Sequence, residues 1–122
     1  MMSRQQAEQY CRRGKDQADM NQLDPALTSL GMAIQADPEY AEAYVARGRV
    51  FVRRQMYAQA VEDFTRAIEL DPELPGVHAL RGNALRELGQ WQAAAADYSE
   101  ALRRHPDSEY YRGLLDQVSD QT

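Results

Sequence analysis

Apolar residues return along this chain at intervals of three and four, in runs broken by short polar or proline-bearing segments. The middle of the chain shows it best. Tyr44, Val45, Phe51 and Val52 form one run, and Ala60, Val61, Phe64, Ala67 and Ile68 form the next, with a break near residues 55–57. That spacing puts the apolar side chains on one face of a helix. It predicts two helices joined by a tight turn. Asp37-Pro38 and Asp71-Pro72 close such pairs, because proline lacks the N–H that a helix interior needs and its ring clashes with the preceding turn. The predicted helices cover 3–19 and 25–36, 41–54 and 58–70, 75–88 and 92–104, with a last one over 108–119. Asp24 reads as an N-cap for the second helix, with Pro25 at its first helical position.

The pattern itself repeats. Prolines stand at Pro38, Pro72 and Pro106, with 72 − 38 = 34 and 106 − 72 = 34. The same shift carries Gly14 onto Gly48 and Gly82, Ala26 onto Ala60 and Ala94, and Ala33 onto Ala67 and Ala101. Leu30 falls on Phe64 and Tyr98, and Ile34 on Ile68 and Leu102. A fixed period with no insertion signals stacked supersecondary units. Small residues at the glycine and first alanine columns let two helices approach closely, so Gly48 is expected to face Ala60. Leu30, Phe64 and Tyr98 are the large side chains expected to fill the layer between units.

The second unit reads Tyr44, Arg47-Gly48 and Phe51, then Ala60, Phe64 and Ala67, then Pro72. This resembles the tetratricopeptide repeat family, whose signature places aromatic, Gly, aromatic, Ala, aromatic, Ala and Pro in that order over a 34-residue period. The third unit follows it with His78, Gly82, Leu85, Ala94, Tyr98, Ala101 and Pro106, and the first with Tyr10, Gly14, Ala26, Leu30, Ala33 and Pro38. Gln17 departs from it where an apolar residue is usual, and Arg13, Arg47 and Arg81 replace the commoner leucine. The resemblance implies an all-α fold, a right-handed superhelical α-α solenoid. It implies one domain over 1–122, with units at 7–40, 41–74 and 75–108 and a capping helix at 108–119. Tyr111, Leu114, Leu115 and Val118 share one face of that last helix, as a cap needs.

Composition narrows the function classes. The formal net charge is −5, which disfavours general attraction to nucleic acid or anionic lipid. Cys11 is the single cysteine, so no intramolecular disulfide forms and no oxidising compartment is demanded. The first ten residues are polar, which argues against a signal peptide, and no apolar run is long enough to cross a membrane. A cytoplasmic location is expected. Cys11, His78 and His105 do not fall into the close local pairs that zinc sites use, so neither a metal nor a cofactor is expected. Gly14-Lys15 lacks the upstream glycine of a phosphate-binding loop. His78 shares the column of Tyr10 and Tyr44, which packing explains. Trp91 aligns with Leu23 and Tyr57 as an apolar lid at each turn. The acidic residues are spread singly, as solvated faces require. No catalytic constellation emerges, and the chain is not expected to be an enzyme.

What remains is a surface. In the family the first helix of each unit lines a concave face. The resemblance then places Arg12 and Lys15 there from the first unit, Val45, Arg49, Val52 and Arg53 from the second, and Leu80, Asn83 and Arg86 from the third. Arginines beside apolar side chains suit a protein or peptide partner with acidic and apolar residues. Some family members grip a chaperone's C-terminal carboxylate with a clamp of Lys, Asn, Asn, Lys and Arg. The matching positions here are Cys11, Lys15, Ala46, Gly76 and Leu80, none of which keeps the family's residue, so no such clamp is expected. The expected function is an interaction module or adaptor. Self-assembly into a homo-oligomer stays open as the alternative, and RNA binding ranks below both.

Overall fold

The computed structural model describes Ser3–Thr122. Met1 and Met2, which begin the polar N-terminal stretch, lie outside the described residues. Seven helices and no strand occur among these residues: α1 (Ser3–Asp19), α2 (Leu23–Ala36), α3 (Ala41–Arg53), α4 (Tyr57–Leu70), α5 (Val77–Glu87), α6 (Trp91–Arg104) and α7 (Glu109–Ser119). The two helices of each unit pack on one another, and the second helix of a unit packs on the first helix of the next. α3 also touches both α1 and α5, so the first helices form an inner row. The architecture is an all-α, right-handed superhelical solenoid of three helix-turn-helix repeats closed by α7.

The glycine column explains how close the paired helices come. Leu30, Phe64 and Tyr98 are fully buried. A Cβ placed on Gly14 would stand 2.6 Å from Leu30 Cγ, one on Gly48 2.6 Å from Phe64 Cε1, and one on Gly82 2.8 Å from Tyr98 Cε1. Phe64, not Ala60, is therefore the side chain that occupies the space against Gly48. Long side chains on a helix lean back over the turn N-terminal to their own Cα. Phe64 thus covers the turn that holds Ala60, and the alanine is small enough to leave it room.

The first helix of every repeat ends in the same way. Gln55 N–H donates to Val52 O at 2.9 Å and Met56 N–H to Phe51 O at 2.8 Å. Residues 21–22 and 89–90 make the equivalent pairs of bonds. This is the Schellman arrangement, which needs a left-handed residue just past the helix. Asn21 and Gln55 both take φ 61° and Gly89 takes φ 76°. Only the third repeat uses the residue best suited to that backbone. The turns between repeats are set by Asp37 and Asp71, whose Oδ1 atoms accept from the Glu39 and Glu73 N–H groups at 3.0 and 3.1 Å.

Two predicted boundaries shift by two residues and several others by one. α2 begins at Leu23 with Gln22 as its cap, so Asp24 and Pro25 sit inside its first turn rather than at the cap. The first turn has unbonded N–H groups in any case, so the proline costs nothing there. α5 begins at Val77 instead of residue 75, because Gly76 caps it in the left-handed region at φ 79°. At the far end, Ser108 caps α7 by accepting from the Tyr111 N–H at 3.1 Å. Leu114 and Val118 are buried against Leu85, Ala94 and Tyr98, covering the apolar end of the third repeat.

The acidic residues are not all solvated. Asp63 and Asp97 are each 4% exposed. Arg47 grips Asp63 with two hydrogen bonds of 2.8 Å, and Arg81 grips Asp97 likewise. Two parallel bonds between a guanidinium and a carboxylate form the strongest geometry open to this pair. The bonds to Asp63 raise the Arg47 guanidinium above its ordinary value. Arg81 reaches further, to Thr65 Oγ1 of the preceding repeat at 3.2 Å. His78, expected to be explained by packing alone, has Nδ1 3.3 Å from Asp97 Oδ1. The first repeat lacks an Asp in this column. Ser29 donates there to Gln17 Oε1 at 2.6 Å, which accounts for the polar Gln17.

Candidate functional site: the concave face

The inner row of helices and the turn between α4 and α5 enclose a concavity of about 530 Å³. Its apolar wall comes from Val45, Ala46 and Val50 of α3 together with Leu74, Pro75 and Val77 at the turn. Helical spacing explains the wall. Val45, Ala46, Arg49, Val50 and Arg53 recur at three and four on one side of α3, and Lys15, Ala18 and Asp19 do so on α1. The 34-residue shift sets Lys15 beside Arg49 and Asp19 beside Arg53 in successive rows. Lys15 and Arg49 are both exposed, and among the described residues neither forms an ion pair. The wall carries the side chains Lys15, Arg49 and Arg53 against Asp19 and Glu42, a locally positive balance of three to two on a chain of net charge −5. Asp19 lies one turn beyond Lys15 and Glu42 two turns before Arg49, on either side of the cationic row.

Next to this concavity, Arg12, Lys15, Glu8, Cys11, Tyr40 and Glu42 line a shallower one of about 410 Å³. Burial, with Glu42 next, pushes the Tyr40 phenol up to about 12, so it stays a neutral hydroxyl. Cys11 is 2% exposed, and burial raises its thiol, which leaves it a poor nucleophile. Among the described residues no three His, Cys, Asp or Glu side chains gather closely enough to hold a metal ion.

The residues assigned to the groove from sequence divide. Lys15, Val45, Arg49 and Arg53 line the main concavity, and Arg12 lines the adjoining one. Val52 and Leu80, half-buried against the core around Phe64 as Val45 is, line neither concavity. Asn83 accepts the Tyr98 hydroxyl at 2.6 Å, an internal bond. Arg86 borders neither concavity, so Arg49, Arg53 and Arg86 are not gathered in one. Arg53 has structural work: it donates to Ala18 O at 2.7 Å and to Asn21 Oδ1 at 3.0 Å. Ala18 O, which already accepts the Asn21 N–H, takes Arg53 as a second donor, and the side chain ties α3 to the end of α1. Sequence reasoning missed the wall made by Leu74, Pro75 and Val77, because the predicted helix over 75–88 takes in Pro75 and Gly76, which belong to the turn ahead of α5. It also missed the internal Arg–Asp pairs. Their signal was present as two columns 16 residues apart, Arg47 with Asp63 and Arg81 with Asp97.

A stack of helical hairpins with a lined inner face belongs to the helical-repeat proteins. The sequence pattern described as Tetratricopeptide repeat matches residues 39–107, more than half of the chain, and the chain belongs to that family. No curated protein matches the sequence. Among solved structures, the Arabidopsis OM64 TPR domain superposes with a TM-score of 0.91 at 22% identity, covering 98% of this chain and 99% of that one. The first TPR of Spaghetti (RPAP3), bound to the HSP90 peptide SRMEEVD, gives 0.92 at 22% identity over 97% and 94%. The second TPR domain of human RPAP3, in complex with the HSP70 peptide SGPTIEEVD, gives 0.85 at 24% identity over 97% and 96%. At these identities the likeness establishes the fold. Of the positions matching the family's carboxylate clamp, Cys11 and Ala46 are buried, Gly76 caps α5, and Leu80 packs in the core. Lys15 alone presents a charged side chain.

Proposed function

We propose that this domain is a non-enzymatic adaptor that holds a peptide segment of a protein partner on its concave face. The single observation behind this reading is the concavity between α1, α3 and the α4–α5 turn, where an apolar wall meets the unpaired cations Lys15 and Arg49. Such a surface suits a partner with both carboxylates and apolar side chains. Similar domains hold peptides rich in both kinds of residue. The chaperone-tail clamp is not part of this proposal, because the three positions where the clamp carries Lys or Arg are Cys11, Gly76 and Leu80 here.

The test is selection of a displayed random-peptide library on the domain, followed by binding of the enriched sequences to wild type and to a Lys15→Glu/Arg49→Glu double variant. Enrichment of acidic, apolar peptides that lose at least tenfold in affinity on the reversal, with unchanged helical content, is the expected result. Both side chains are exposed and unpaired, so the fold has no need of them. Enriched peptides that bind wild type and double variant alike would remove the concave face from the proposal and bring self-assembly forward.

A further inference from the structure

Resting on that reading, we infer that the concavity between α1, α3 and the start of α5 takes one apolar side chain of an internal peptide segment, and that Lys15 and Arg49 together hold the side-chain carboxylate of a neighbouring residue. Three features carry this. The first is the wall. Val45, Leu74 and Pro75 reach the solvent side of the wall, and Val50 and Val77, each 2% exposed, back it; they come from two helices and a turn and converge on one space of about 530 Å³, within the range of sites that enclose a ligand group. The third repeat contributes only its first residues, Pro75 and Val77, and neither Leu80 nor Asn83 takes part.

The second feature is the number and position of the charges. Arg53 is held by Ala18 O and Asn21 Oδ1, which leaves Lys15 and Arg49 as the cations free to act. They occupy one row, so they suit one carboxylate. Val45 and Ala46 lie one helical turn before Arg49, and Val50 directly follows it. One turn is about 5.4 Å, and an extended peptide advances about 3.3 Å per residue. The gripped carboxylate therefore belongs within one or two residues of the anchoring side chain.

The third feature is the lack of a second donor row. Holding a chain terminus requires donors for its own carboxylate in addition to any for a side chain. Cys11, Ala46 and Leu80, where the family places such donors, are packed and non-ionic. The segment recognised thus needs no free end.

The probes are hexapeptides acetylated and amidated at their ends, with one Leu adjacent to one Glu among Ser and Gly residues. Their binding is read from the methyl spectra of the whole chain. Shifts are expected at Val45, Val50, Leu74 and Val77 and not at Val52 or Leu80. Affinity should fall at least fivefold when the peptide's Leu becomes Ser or its Glu becomes Gln, and equally with Lys15→Ala or Arg49→Ala. Arg86→Ala should leave it unchanged. Binding that requires a free terminal carboxylate, or that ignores the Leu replacement, or that shifts the Val52 or Leu80 methyls would overturn the anchor while leaving the concave face as a peptide site. Library-selected peptides that bind without an adjacent apolar–acidic pair would do the same. If neither the hexapeptides nor any selected peptide binds, the anchor and the adaptor reading fall together.

Discussion

Gly48→Ala adds one methyl group at one of the tightest points of the fold. The new Cβ would lie 2.6, 2.9 and 3.0 Å from Phe64 Cε1, Cδ1 and Cζ. All three atoms belong to one edge of a rigid ring, and Phe64 is fully buried, so the ring cannot swing into solvent. Relief has to come from separating α3 and α4, which disturbs the layer beneath both. Overpacking of this kind costs about 1–3 kcal/mol. The substitution also removes a glycine from a helix interior, a gain of about 1 kcal/mol. Gly113→Ala isolates the two effects, since it is an exposed helical position where an added Cβ meets nothing within 4 Å. It should stabilise by up to about 1 kcal/mol. The difference between the two variants then reports packing alone, about 1–3 kcal/mol. Urea denaturation followed by circular dichroism measures both, with the slope checked for cooperativity because repeat arrays can lose it. Equal stability of Gly48→Ala and Gly113→Ala would refute the claim that the glycine column exists to admit the large side chain opposite.

Gln55→Gly should stabilise the domain by about 0.5–1 kcal/mol, because φ 61° strains a residue with a side chain and suits glycine. The reciprocal Gly89→Ala should destabilise, and the same denaturation assay reads both. Asp97→Ala leaves Arg81 and His78 without their shared partner. The cost should be about 2–3 kcal/mol, below that of a fully buried pair because the Arg81 side chain keeps 23% of its exposure.

The period of the sequence determined the architecture. Each 34-residue column meets the same surroundings in every repeat, so a local helical pattern, once repeated, fixes the stacking of neighbours. The helices, the turns at the prolines and the capping role of Leu114 and Val118 were legible for that reason. The site was legible only in part. Lys15, Val45 and Arg49 lie where the family resemblance puts the concave face, and helix spacing keeps them on that side of their helices. It does not fix what the side chain then reaches. Arg53 is drawn to the end of α1, Asn83 to the Tyr98 hydroxyl, and Val52 and Leu80 into the core, all through contacts between residues 15 or more positions apart or between separate helices. The left-handed Gly76 and the wall it creates with Leu74 and Pro75 depend on where α4 releases the chain against α3. Only the tertiary structure decides that, because it is a balance between packing and backbone freedom at one turn and carries no period.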